Sequence, residues 1–175
     1  MLLATGGRII LFAGKEMKDW HEIVRRHHMA FHGNDEYQLV ISPPATDAEL
    51  ASLRGLLPYS IPFEMESFYQ SINGFGKSSA HYPLLWFFLP ISELESACRS
   101  LRDTFGDSHA DLAQRFLPFV DWFCGDYSGY LWSEDGTLLD GLYMFEHENF
   151  LYESGQDISE FMFCTDASIE EFLEP

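Results

Sequence analysis

Between Pro44 and Gly74 the apolar positions recur with the period of two helices, and each run carries its own start and stop signals. Thr46 followed by Glu49 is a capping box, so the first helix starts there. Leu50, Leu53 and Leu57 fall on one face, and Gly55 and Pro58 break the run. Pro62 suits the first turn of a second helix, where its missing N–H costs nothing. Met65, Phe68, Tyr69 and Ile72 form that helix's stripe, and Asn73-Gly74 ends it, since both residues tolerate the left-handed conformation.

Upstream, residues 16–30 read as an amphipathic helix with Met17, Trp20, Val24 and His27 on one face, extended by Ile23 and Phe31. Gly33-Asn34-Asp35 ends it, and residues 37–41 form a short strand or connector. Downstream, residues 82–89 predict a strand buried on both faces. Ser92 with Glu95 predicts a second capping box and a helix to about Phe105, stopped by Gly106. Asp107 or Ser108 then caps a short helix through Phe116. From Phe119 the period shortens to that of strands. The segments FVDWF, DYSGYLWS, LYMFEHE and NFLYES are separated by turn signals at Gly125, Glu134-Asp135-Gly136 and Glu148-Asn149. Ser168 with Glu171 opens a closing helix anchored by Ile169, Phe172 and Leu173. The order is α+β: N-terminal helices packed on a mostly antiparallel sheet, with a closing C-terminal helix.

The Pro-Ala-Thr start, the acidic first turn, Ile61-Pro62 and Asn73-Gly74 resemble the opening of the SUKH superfamily, the Smi/Knr-like proteins. Ile61 stands where that pattern carries Leu. Leu89-Pro90-Ile91-Ser92 is similar to the family's junction between a strand and a helix, and Phe116 to Phe119 and Gly125-Asp126-Tyr127 to its middle strands. The run Gly141 to His147 and the closing run Ala167 to Leu173 match its later strand and its terminal helix. The resemblance covers about residues 44–174 and implies the same α+β arrangement. On this reading residues 17–175 form one SUKH-like domain, and residues 1–16 are a peripheral leader or strand.

The composition agrees with one folded domain: 175 residues, 46% apolar, with 16 Phe and 8 Tyr to cover a sheet. Residues 1–14 contain an apolar run interrupted by Gly6, Gly7 and Arg8, which is neither a signal peptide nor a membrane span. Cys98, Cys124 and Cys164 are scattered and odd in number, which suits reduced thiols in the cytoplasm.

Charge changes the picture more. The chain has a net charge of −18, and the last Lys or Arg is Arg115. Residues 116–175 hold 14 of the 28 acidic residues and no basic one. Such a surface repels nucleic acid and anionic membranes and attracts basic proteins.

Candidate chemistry is sparse. There is no nucleophile elbow and no phosphate-binding loop. His21, His28 and His32 share a helical spacing, but no carboxylate completes a zinc set around them. Cys124 has histidines elsewhere in the chain, His81, His109 and His147, and no local signature linking it to one. No catalytic residue, cofactor or metal is expected, and the chain reads as a non-enzyme.

The resemblance implies a non-catalytic binding protein. Many bacterial members look like immunity proteins for polymorphic or contact-dependent toxins, often basic nucleases. Asp121, Asp126, Glu134, Asp135, Glu146 and Glu148 are the candidates to pair with Lys or Arg of such a toxin. Trp122, Tyr127, Tyr130 and Trp132 are the aromatic anchors, if exposed. Strand alternation lets only about half of them face outward. The expected partner is therefore a basic protein, met by a monomer or weak dimer. The alternative is a regulatory or scaffolding adaptor of the same fold, unrelated to toxins.

Overall fold

A computed structural model describes residues 18–32, 36–81 and 83–175. The readings placed on residues 1–17, on Gly33-Asn34-Asp35 and on Tyr82 lie outside the described residues.

The elements run α1 (Trp20–His32), β1 (Gln38–Ile41), α2 (Asp47–Arg54), α3 (Phe63–Ser71), β2 (Phe75–Ser78), β3 (Leu85–Phe88), α4 (Ile91–Phe105), α5 (Leu112–Arg115), β4 (Phe116–Asp121), β5 (Tyr127–Leu131), β6 (Leu142–Phe145), β7 (Met162–Asp166) and α6 (Ile169–Leu173). The seven strands form one sheet in sequence order, and every neighbouring pair is antiparallel. The α+β architecture expected from the pattern is thus observed.

The capping boxes explain two of the helix starts. Thr46 Oγ1 accepts from the Glu49 N–H at 3.3 Å, and the Glu49 carboxylate accepts from the Thr46 N–H at 2.8 Å. Ser168 Oγ accepts from the Glu171 N–H at 3.1 Å, while the Glu171 carboxylate reaches back to the Ala167 N–H at 2.8 Å. A third start is made at long range. Asn73 Oδ1 accepts from the Ile91 N–H at 2.9 Å and Asn73 Nδ2 donates to Glu49 at 2.9 Å, so one buried amide joins α2, the end of α3 and the start of α4. Gly74 follows at φ +89°, where a Cβ would lie 2.6 Å from Pro90 N and 2.7 Å from Phe88 O. The Asn-Gly pair is therefore a tertiary junction as much as a helix stop.

Two buried clusters hold the layers together. Leu131 and Phe145 pack with Leu101, Phe105, Leu112 and Phe116 under α4 and α5. Tyr130, Trp132 and Leu142 pack in the larger cluster, which includes Trp20 and Val24 of α1, Phe68 of α3, and Ile169 and Leu173 of α6. Adjacent residues of β5 thus enter different clusters, as strand alternation requires. Glu64 ties the second layer together: it accepts from Lys18 Nζ at 2.6 Å, from the Ile169 N–H at 3.0 Å and from Tyr130 Oη at 3.4 Å. Burial disfavours the charge on Lys18, but its bonds to Glu170 and Glu64 outweigh this and raise its pKa.

Several local readings are corrected. β3 spans Leu85–Phe88 and is mostly half-buried rather than buried on both faces. Ser92 does not cap α4; the N-cap is Pro90 and the helix starts at Ile91, two residues earlier than that pair implies, because Asn73 supplies the acceptor. Neither Asp107 nor Ser108 caps α5, which follows Asp111, and Phe116 opens β4 because it pairs with Leu131. NFLYES is not a strand. His147–Asn149 is a 3-10 turn, and the partner of β6 is β7, formed by MFCTD. Phe31 sits on α1 but is 61% exposed instead of extending the buried stripe.

Candidate functional site

Arg115, the last basic residue, is buried: its guanidinium donates to Trp132 O at 2.7 Å and to Asp111 at 2.8 Å. It therefore neutralises little of the surface beyond it, where none of the 14 carboxylates of residues 116–175 is buried.

The loop joining β4 to β5, residues 122–126, is held by side-chain bonds at both ends. Asp121 Oδ1 accepts from the Phe123 N–H at 2.7 Å, and Phe123 is held at φ +63°. A bulky residue in the left-handed region costs on the order of 1–3 kcal/mol. Here the strain turns out a phenyl ring that is 42% exposed, beside Trp122 at 39%. Trp122 is oriented by its indole N–H, which donates to Ser128 Oγ at 2.9 Å. The far side of the loop is clamped by Asp126, whose Oδ1 lies 2.8 Å from the His147 N–H and 2.7 Å from His147 Nδ1. Burial pushes the Asp126 carboxyl up, but the His147 bonds prevail and its pKa is lowered.

Trp122 and Phe123 form one wall of a groove of about 330 Å³, completed by His27 and Phe31 of α1, Lys77 of β2, Phe87 of β3 and Phe172 of α6. Trp122 meets Phe87 and Phe172 edge-on, with ring centroids 5.2 and 5.9 Å apart.

The ten candidate residues therefore part company. Asp121, Trp122, Asp126 and Tyr127 gather at one end of β5, and Glu146 and Glu148 join them through the His147–Asp126 bonds. Tyr127 is half-buried, and burial raises its pKa. Glu134 and Asp135 lie in the exposed turn at the other end of β5, so they belong to a separate patch. Tyr130 and Trp132 are 5% and 2% exposed and are removed as anchors: Tyr130 reaches Glu64, and Trp132 stacks on Tyr59 at 5.2 Å. Phe31, Phe87, Phe123 and Phe172 were not predicted at this site. They come from four elements distant in the chain, and the only local signal was an aromatic pair at Trp122-Phe123 before a Gly.

Cys124, Asp126 and His147 do come together, but not as a nucleophile site. The Cys124 thiol lies 3.3 Å from Asp126 Oδ2, and its pKa is raised. The N–H groups around Asp126 favour the thiolate, yet burial and the adjacent carboxylate prevail, which is the reverse of nucleophile activation. His27 and His28 of α1 are buried, and His27 stacks on Phe87 at 5.6 Å; the side chain of His32 lies outside the described residues. Among the described residues no group of three or more His, Cys, Asp or Glu is arranged to hold a metal ion. Among them, too, no helix is long and apolar enough to cross a membrane.

The described residues thus form an α+β domain with a meandering antiparallel sheet, helices packed in both clusters and an exposed aromatic groove beside carboxylates. A family model, the SMI1 / KNR4 family (SUKH-1), matches residues 44–163. The chain belongs to that family. No curated protein matches it.

Proposed function

We propose that this SUKH-1 protein is a non-catalytic cytoplasmic immunity protein that binds and neutralises a basic bacterial toxin domain of the nuclease type. The observation that carries this reading is the β4–β5 loop. Two exposed aromatic side chains stand on a strained, clamped backbone, among Asp121, Asp126, Glu146 and Glu148. Protein interfaces combine rigid aromatic anchors with a charged rim that steers the partner. The 14 carboxylates of residues 116–175, a stretch that contains no Lys or Arg, favour a cationic partner and speed its approach. Asp121, Trp122, Asp126, Tyr127, Glu146 and Glu148 form the proposed contact, with Glu134 and Asp135 as a second acidic patch.

The test is calorimetric titration against the C-terminal domain encoded by the adjacent upstream gene, at low and high salt. Tight one-to-one binding that weakens with salt is expected, together with loss of the domain's toxicity. Absence of binding would overturn the reading and favour an adaptor role.

A further inference from the structure

The aromatic groove carries a more specific consequence for that same contact. Phe31, Trp122 and Phe123 are large, exposed and brought to one cavity by α1 and the β4–β5 loop, instead of being scattered singly over the surface. The floor is already stacked. Phe87 and Phe172 lie nearly parallel at 6.0 Å, so these rings will not collapse to close the gap. A space of about 330 Å³ lies within the range of ligand pockets and has room for a large side chain.

Its polarity restricts what enters. Lys77 Nζ stands 4.8 Å from the Tyr37 ring centre and 5.8 Å from that of Phe123, so one wall of the groove carries a positive charge over aromatic faces. A Lys or Arg head placed inside would meet that charge at short range. An uncharged aliphatic or aromatic side chain would not, and Lys77 can donate to a carbonyl of the segment that bears it. Outside, the signs reverse. Asp121 and Asp126 stand at the two ends of the loop that carries Trp122 and Phe123. A second copy of this chain is a poor occupant, because it would bring the same acidic surface against itself.

We propose that the groove receives an apolar side chain from a basic segment of the partner protein, with Lys or Arg residues beside that anchor lying over Asp121 and Asp126. This rests on the immunity reading above. It divides the contact into an apolar anchor that is insensitive to salt and an acidic rim that sets the salt dependence.

The variant Phe123→Asn separates the two. Asn tolerates the left-handed backbone, so the change deletes the ring without breaking the loop. Calorimetric titration of the full-length protein against the upstream-encoded domain should show affinity reduced by about 30-fold or more, the scale of an interface hot spot. Thermal stability should not fall, since Asn relieves the backbone strain at this position, and the slope of affinity against salt should be unchanged. Asp121→Asn keeps an acceptor for the Phe123 N–H and should do the converse, lowering the salt slope with a smaller loss at high salt. Tyr152→Ser, at a residue that is 67% exposed and outside the groove, serves as the control and should stay within about 3-fold of the wild type. If the wild type binds and Phe123→Asn stays within that same margin, the groove proposal fails and the immunity reading stands. If the wild type does not bind, both fail. A dimer of the free protein that Phe123→Asn abolishes in sedimentation would assign the groove to a second copy and overturn the proposal.

Discussion

Asn73→Ala should be among the most damaging single changes that leave the hydrophobic core untouched. The side chain makes two bonds across three elements: Oδ1 accepts from the buried Ile91 N–H, and Nδ2 donates to the Glu49 carboxylate, both at 2.9 Å. Truncation leaves the first N–H of α4 with no acceptor, and an orphaned buried N–H costs about 1–3 kcal/mol. Pro90, just before it, has a ring in place of a donor and its side chain makes no capping bond, so no neighbour replaces the lost acceptor. The bond to Glu49 adds about 1 kcal/mol, since the carboxylate keeps its bonds to Thr46 and regains water. The sum is about 2–4 kcal/mol, or a fall in Tm of roughly 5–12 °C for a domain of this size. Urea denaturation followed by circular dichroism measures it, and m should not change. Asn73→Asp preserves the acceptor for Ile91 but turns a carboxylate toward Glu49, so its defect should be greatest at neutral pH and ease on acidification. A loss below about 1 kcal/mol for Asn73→Ala would show that water or a shifted backbone satisfies Ile91, and the junction argument would be wrong.

Two further outcomes are expected. Because the folded-state pKa of Asp126 is depressed, its clamp contributes stability that is present above the unfolded value of about 3.9 and is lost as pH falls through the folded value. The stability difference between wild type and Asp126→Asn should therefore shrink between neutral pH and about pH 3, and a constant difference would refute the His147 clamp. Cys98 is buried, which pushes its thiol up to about 11, whereas Cys124 and Cys164 are exposed. A thiol reagent at mildly alkaline pH should titrate two groups in the native protein and the third only after denaturant; three rapid groups would contradict the packing of α4.

Local signals served best where an element's boundary is made by its own residues. The Thr46–Glu49 and Ser168–Glu171 boxes are closed by side chains three residues apart, and both helices start where those pairs imply. The Ser92–Glu95 pair has the same spacing and failed, because an amide 18 positions upstream in sequence already occupies the Ile91 N–H. NFLYES and MFCTD each carry three apolar residues; pairing with β6 chooses between them, and that pairing was won by the later segment. The aromatic readings divided for the same kind of reason. Trp122 is exposed because β4 ends at Asp121, while Tyr130 of β5 and Trp132 just after it point into the core, and the distinction depends on which face of the sheet meets a helix.

By itself, the sequence determined the α+β class, the family, the helix starts with local caps and the unbalanced acidity of the last third. These rest on composition and on contacts between near neighbours, which pattern and spacing express directly. Tertiary structure alone decided the register of the sheet, the role of Asn73 as a junction, the burial of Arg115 and the union of Phe31, Phe87, Phe123 and Phe172 in one groove. Each of these joins residues far apart in the chain, and the free energy that selects them comes from packing surfaces that exist only once the layers have met.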